Sequence, residues 1–138
     1  DLSEPYVRWT RDQLADRPTV RPLVGNAEAI PVADAAVDVL TNVYLFHELP
    51  PKVRPAVAAE MGRVVRPGGI AVVVDSLQTG DTPEFDGLLE LFPQMFHEPY
   101  YESYTRTDMA ALFAAGGLVL ERAWPAFMSK VFVFRKAA

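Results

Sequence analysis

The chain has 138 residues, half of them apolar and 22% charged, with a net charge of −5. That is one domain, residues 1–138, of ordinary globular composition, and its acidic balance speaks against a protein that tracks a nucleic-acid backbone. It has no cysteine, which excludes disulfides and thiolate metal sites and fits a cytoplasmic setting, and no apolar run reaches the roughly 18 residues of a membrane span.

Asp1-Leu2-Ser3-Glu4-Pro5 does not read as a signal peptide. Ser3 is placed to N-cap a helix through Tyr6, Trp9 and Leu14, ending near Pro18. Val20 to Val24 reads as a short edge strand interrupted by Pro22, followed by the loop Gly25-Asn26-Ala27-Glu28. Val37 to Tyr44 reads as a buried parallel strand covered on both faces. Leu49-Pro50-Pro51 opens a helix whose apolar stripe is Val53, Val57, Met61 and Val64-Val65, and Pro67-Gly68-Gly69 stops it. Ile70 to Val74 is the next buried strand, ending in Asp75.

Further on, Phe85 to Met95 reads as helix and Phe96 to Tyr104 as an aromatic loop or broken helix. Thr107 or Asp108 caps a helix through Met109, Leu112 and Phe113, closed by Gly116-Gly117. Leu118 to Trp124 and Met128 to Arg135 are strands whose short link makes an antiparallel hairpin. The alternation of helix and strand through Asp75 implies an α/β fold with a Rossmann-like, mostly parallel sheet, finished by that hairpin.

Ligands in such folds bind outside the carboxyl ends of the strands. This rule singles out Asp1, the loop at Gly25-Asn26-Ala27, and Thr41 to Tyr44. His47-Glu48 and His97-Glu98 hold metal-ligand residue types, but neither continues as His-Glu-x-x-His, so no metal is expected. His47 follows a strand end and titrates near neutrality, which suits a general base; it equally suits a histidine that orders the loop. Phe92, Phe96, Tyr100, Tyr101 and Tyr104 form an aromatic cluster that suits either a flat or apolar ligand or plain core packing.

Arg63-Val64-Val65-Arg66-Pro67-Gly68-Gly69 followed by Ile70-Ala71-Val72-Val73-Val74-Asp75 resembles the matching segment of class I S-adenosylmethionine-dependent methyltransferases, of the broad type 11 group. The likeness covers residues 1 to 76 closely and the remainder by architecture. It implies S-adenosyl-L-methionine as cofactor and a small-molecule acceptor. It implies that Asp1, with Leu2 beside it, receives the ribose hydroxyls, a carboxylate being a strong acceptor for two converging donors. It implies that Asn26 and Ala27 read the adenine edge, with Asn26 where aspartate is more usual. It places Asn42, Val43 and Tyr44 near the sulfonium and the acceptor. His47 and then Tyr44 become the candidates for removing a proton from the acceptor, and Asp38 becomes structural. Apart from the resemblance, Asp1 is a terminal polar residue and Asn26 a turn asparagine.

The family's glycine-rich loop, about 20 residues before the ribose acid, has no counterpart, for no Gly-x-Gly occurs here. The resemblance therefore implies an amino-terminally truncated domain lacking the first two strands, which in the family lie between the third and fourth. Val20 to Val24 then loses its neighbour, Val37 to Tyr44 gains an exposed apolar edge, and the isolated chain binds cofactor poorly. A short-chain dehydrogenase would need Tyr-x-x-x-Lys; none of Lys52, Lys130 and Lys136 has a tyrosine four residues earlier. A non-catalytic α/β domain that binds a partner through its open edge is the alternative. Oligomeric state is not legible.

Overall fold

Helix and strand meet without a linker at Val64 and Val65. Helix α2 (Arg54–Val64) ends there and strand β2 (Val65–Ser76) begins with the next residue. The Pro-Gly-Gly segment thus does not stop the helix, as the sequence suggested, but lies inside β2. It forms a bulge: Val37 pairs with Val65 and Val39 with Ile70, so the intervening residues of β2 loop outward. Gly68 takes φ +73 there, and a Cβ on Gly69 would stand 2.9 Å from the carbonyl oxygens of Arg66 and Asp38. Arg66 pairs with Asp38 beside the bulge, which gives Asp38 its structural role. Lys136 closes the junction, donating to the carbonyls of Gly62 at 2.6 Å and Val65 at 2.8 Å.

The computed structural model describes residues 1–138. Around the junction lie α1 (Glu4–Gln13), β1 (Val37–Val43), α3 (Asp86–Phe96), α4 (Tyr101–Thr105), α5 (Met109–Ala115), β3 (Leu118–Ala126) and β4 (Ser129–Lys136). Ser3 caps α1 and Asp108 caps α5, as their sequences predict. Pro50-Pro51 stands before α2 rather than opening it: the turn at Pro50 to Val53 precedes the first helical residue, Arg54.

The sheet order is β1-β2-β4-β3. β1 runs parallel to β2, while β4 is antiparallel to both β2 and β3. Three strands therefore point one way and the last strand of the chain is reversed between two of them. This is a Rossmann-like α/β sheet with a carboxy-terminal antiparallel hairpin.

The main core lies on one face. Ala71 and Val73 of β2 and Phe132 and Phe134 of β4 meet Val57, Ala58 and Met61 of α2 and Phe113 of α5. Residues on the other face of β2, Ile70, Val72 and Val74, are only half-buried. β1 is not the doubly covered strand its sequence suggested: it is an edge strand, with Val39 53% and Val43 59% exposed. Val20 to Val24 is not a strand either. Its flank instead lies beside Asp1: the Asp1 amino group donates to Leu23 O at 3.4 Å and Gly25 N–H to Asp1 O at 3.0 Å. Two bonds flanking one residue are the parallel-strand pattern, too brief here to make a ladder.

Candidate functional site

Three segments converge at the carboxyl end of β1. A cleft of about 880 Å³ opens between Asp1-Leu2, the loop from Leu23 to Val32, and the stretch from Leu40 to Leu45, with Val57 and Met61 of α2 as its floor. Asp1, Leu2, Asn26, Ala27, Asn42, Val43 and Tyr44 all line it. These residues are far apart in sequence and share a cleft because β1 delivers one group while the Asp1–Gly25 link holds the other two side by side.

The wall at Ile30 to Asp34 is pinned by α2. Arg63 donates to Ile30 O and Val32 O, both at 2.9 Å, and pairs with Asp34 and Glu60, while Glu60 takes the N–H of Ile30 at 2.9 Å. Those carboxylates hold the guanidinium well above its ordinary pKa, and Arg63 with the Ile30 amide holds Glu60 below the usual carboxylate range.

The donors and acceptors in the cleft suit a nucleoside. One oxygen of Asp1 takes the N–H of Ser3 at 2.7 Å, leaving the other for a ligand. Asn26 is a turn asparagine: its Oδ1 receives Glu28 N–H at 2.9 Å. The adjacent Ala27 N–H has no backbone acceptor within the chain. Asn42 Oδ1 is buried without any hydrogen-bond partner. A buried polar atom left unpaired is costly, and a ligand donor would satisfy it.

Tyr44 marks the far end of the cleft. It has φ +53, a left-handed conformation that a bulky residue rarely takes, fixed by its N–H to Val74 O at 2.8 Å. Its hydroxyl bonds Ser129 Oγ on the hairpin. His47 stands just behind, outside the cleft lining, in the 3-10 turn Phe46–Glu48. Its Nδ1 is 2.6 Å from Asp75 Oδ1. Burial works against charging His47, but the hydrogen bond to Asp75 and the charges of Asp75, Glu48 and Glu98 outweigh it, so its pKa is raised. His97 is remote from this pair in role: it ends α3 in a left-handed C-cap.

Two residues of this region escaped the sequence reading. Asp75 was visible only as the acid ending a strand, although the strand-end rule that singled out Asp1 applies to it equally. Arg54 gave no signal. It is buried, donating from Nε to Phe46 O at 3.0 Å and from its two other nitrogens to Thr107, Tyr100 O and Ser103. It ties the His47 turn to α4. The aromatic group divides. Tyr104 and Tyr101 are buried, their hydroxyls on Ser76 O and Ser76 Oγ, whereas Phe96 is 58% exposed.

A three-up, one-down sheet with an open cleft at the carboxyl end of its first strand is the architecture of a Rossmann-like class I methyltransferase domain. Residues 1–69, half of the chain, match the family model described as methyltransferase domain, and the chain belongs to that S-adenosylmethionine-dependent family. The chain is 37% identical over 82 residues to the ubiquinone/menaquinone biosynthesis C-methyltransferase UbiE of Burkholderia orbicola, a match over 59% of this chain and 33% of that protein. The UbiE of Cupriavidus pinatubonensis is 37% identical over 76 residues, 54% of this chain and 30% of that protein. The matched stretch thus spans about a third of these relatives. Among solved structures, a SAM-dependent methyltransferase from Aquifex aeolicus superposes with TM-score 0.68 at 19% identity, covering 98% of this chain and 65% of that one. One from Methanosarcina mazei gives 0.67 at 16%, covering 99% and 80%. No helix of the structure is long and apolar enough to cross a membrane.

Proposed function

We propose that this chain is part of a methyltransferase that moves a methyl group from S-adenosyl-L-methionine to a small-molecule acceptor. The observation that carries this is the convergence of Asp1-Leu2, Asn26-Ala27 and Asn42-Val43 on one cleft. When bound, the cofactor supplies an activated methyl group. Asp1 would receive the ribose hydroxyls, Ala27 N–H would meet the adenine edge, and Asn42 Oδ1 would accept a donor from the amino-acid part. Leu2 and Val43 give apolar contact. Tyr44 and His47 stand on the acceptor side, where the protein's work is to orient the acceptor and exclude water. The relatives are named for C-methylation in ubiquinone and menaquinone biosynthesis, and the exposed ring of Tyr44 at the end of the cleft suits a flat or apolar acceptor of that general kind.

The open edge of β1 supports the view that upstream strands complete the sheet and the cofactor site. It also supports the alternative, a non-catalytic domain that binds a partner along that edge. Calorimetric titration of S-adenosylhomocysteine into this chain, and into a version extended by its native upstream residues, separates the two. Tight binding in the extended form with weak binding here is the expected result. No binding in either removes the methyl-transfer reading and favours the interaction domain.

A further inference from the structure

His47 has a partner that no cleft-lining segment supplies. Asp75 is fully buried at the end of β2, and its carboxylate receives N–H groups from Phe46 at 2.8 Å, Leu45 at 3.2 Å and Ser76 at 2.8 Å besides His47 Nδ1. A carboxylate is an acceptor, so Nδ1 carries the hydrogen in that contact and the lone pair resides on Nε2. Nε2 is 3.9 Å from Glu48 Oε1, and Glu48 lines the cleft. The rings of Tyr44, Tyr101 and Tyr104 stand edge-on to the imidazole at 6.1, 5.8 and 6.2 Å.

We infer that Asp75 is a positioning residue that holds His47 in its Nδ1–H form, leaving Nε2, beside the cleft-lining Glu48, as the proton acceptor for the reacting molecule. This rests on the methyl-transfer reading and narrows it to an acceptor whose nucleophile carries a proton to lose, a hydroxyl or an acidic C–H. The bond from nucleophile to methyl forms as the bond from sulfur to methyl breaks. The sulfur keeps that electron pair and becomes a neutral thioether. The nucleophile's proton passes to Nε2, and the imidazolium so formed faces Asp75 before releasing the proton to solvent.

Burial disfavours the charged form of His47, and three carboxylates oppose it: Asp75 from β2, Glu48 from its own turn and Glu98 after α3. Tyr44 after β1 and Tyr101 and Tyr104 from α4 supply packed rings. The three carboxylates all favour the imidazolium. A base so supported takes a proton more readily than a free histidine.

Nitrogen-15 magnetic resonance of histidine-labelled protein reads the tautomer, and His97→Gln assigns the signals because the chain holds two histidines. Above its midpoint, His47 is expected to show a protonated Nδ1 and a bare Nε2. Asp75→Asn should mix the tautomers and lower the midpoint by about one pH unit or more. Diethyl pyrocarbonate tests access: His47 should be carbethoxylated with a pH midpoint equal to that seen by resonance. An Nε2–H tautomer in the unaltered protein, an unchanged midpoint in folded Asp75→Asn, or a His47 inert to the reagent overturns the inference. If Asp75→Asn does not fold, the tautomer and reactivity of the unaltered protein decide it. S-adenosylhomocysteine titration of the extended chain keeps the two readings apart: cofactor binding with the opposite tautomer removes the dyad's role alone, and the expected tautomer without cofactor binding removes methyl transfer alone.

Discussion

A Cβ placed on Gly62 of α2 would stand 1.8 Å from the carbonyl oxygen of Gly116, the residue that ends α5. The two helices therefore touch backbone to backbone, and the contact is reciprocal: a Cβ on Gly116 would meet Ala58 O at 2.7 Å. Neither backbone can yield without shifting a helix over the core of Val57, Met61 and Phe113. Gly62→Ala is expected to destabilise the protein by about 2–3 kcal/mol, the cost of overpacking. Gly87 is the control. It lies in α3 with nothing within 4 Å of its would-be Cβ, so Gly87→Ala should stabilise by about 0.5–1 kcal/mol through helix propensity. Urea unfolding of the two variants checks both signs.

Arg54 is a buried cation whose partners are neutral oxygens. Burial lowers its pKa from the ordinary guanidinium value, and Coulombic interaction with Tyr104 and Asp75 works the other way. Removing it would take one hydrogen bond each from Phe46 O, Tyr100 O and the hydroxyls of Ser103 and Thr107 inside the fold and leave a cavity where the guanidinium packs. Arg54→Met should cost about 3 kcal/mol. Arg54→Lys should recover only part of this, since an ammonium cannot reach four acceptors set out for a planar fork. Denaturation midpoints of both variants test the order, which fails if lysine restores full stability.

Stability should also depend on pH through His47. Its folded pKa is raised above the ordinary value of 6.5. The folded state therefore binds more protons than the unfolded state between those two values. By linkage, the contribution is fully present below about pH 6.5 and is lost as pH rises through the folded midpoint. Glu60, with its pKa lowered, acts in the opposite sense, its contribution being lost in acid. Unfolding free energy measured across neutral pH should fall with rising pH, and His47→Gln should flatten that slope.

Local pattern made much of this fold legible. The run Ile70 to Val74, the Asp108 cap with Gly116-Gly117, and the hairpin about Phe127 each carry their own signal, and each element formed. Val20 to Val24 has strand-like residues, but a strand needs a ladder, and only the bonds at Leu23 and Gly25 exist. The Pro-Gly-Gly bulge was misread because a bulge and a helix stop use the same residues. In the cleft, Asp1, Asn26 and Asn42 could be picked out as strand-end residues, whereas Asp75 and Arg54 could not be assigned their tasks. A charged side chain looks solvated in sequence, and only packing reveals that it is buried.

Arg63 controls the wall of the cleft rather than its floor. It holds Ile30 O and Val32 O, orients Glu60 toward Ile30 N–H, and its own carbonyl receives Ala35 N–H at 2.9 Å. The side chain is partly exposed, so its ion pairs with Asp34 and Glu60 contribute little to global stability. Their local effect is larger, because the segment from Ile30 to Ala35 has no ladder of its own to hold it. Arg63→Ala should therefore quicken amide exchange at Ile30 and Ala35 by about tenfold while the amides of β2 and β4 stay protected. If exchange rises equally in β2 and β4, Arg63 supports the whole domain and not the wall of the cleft.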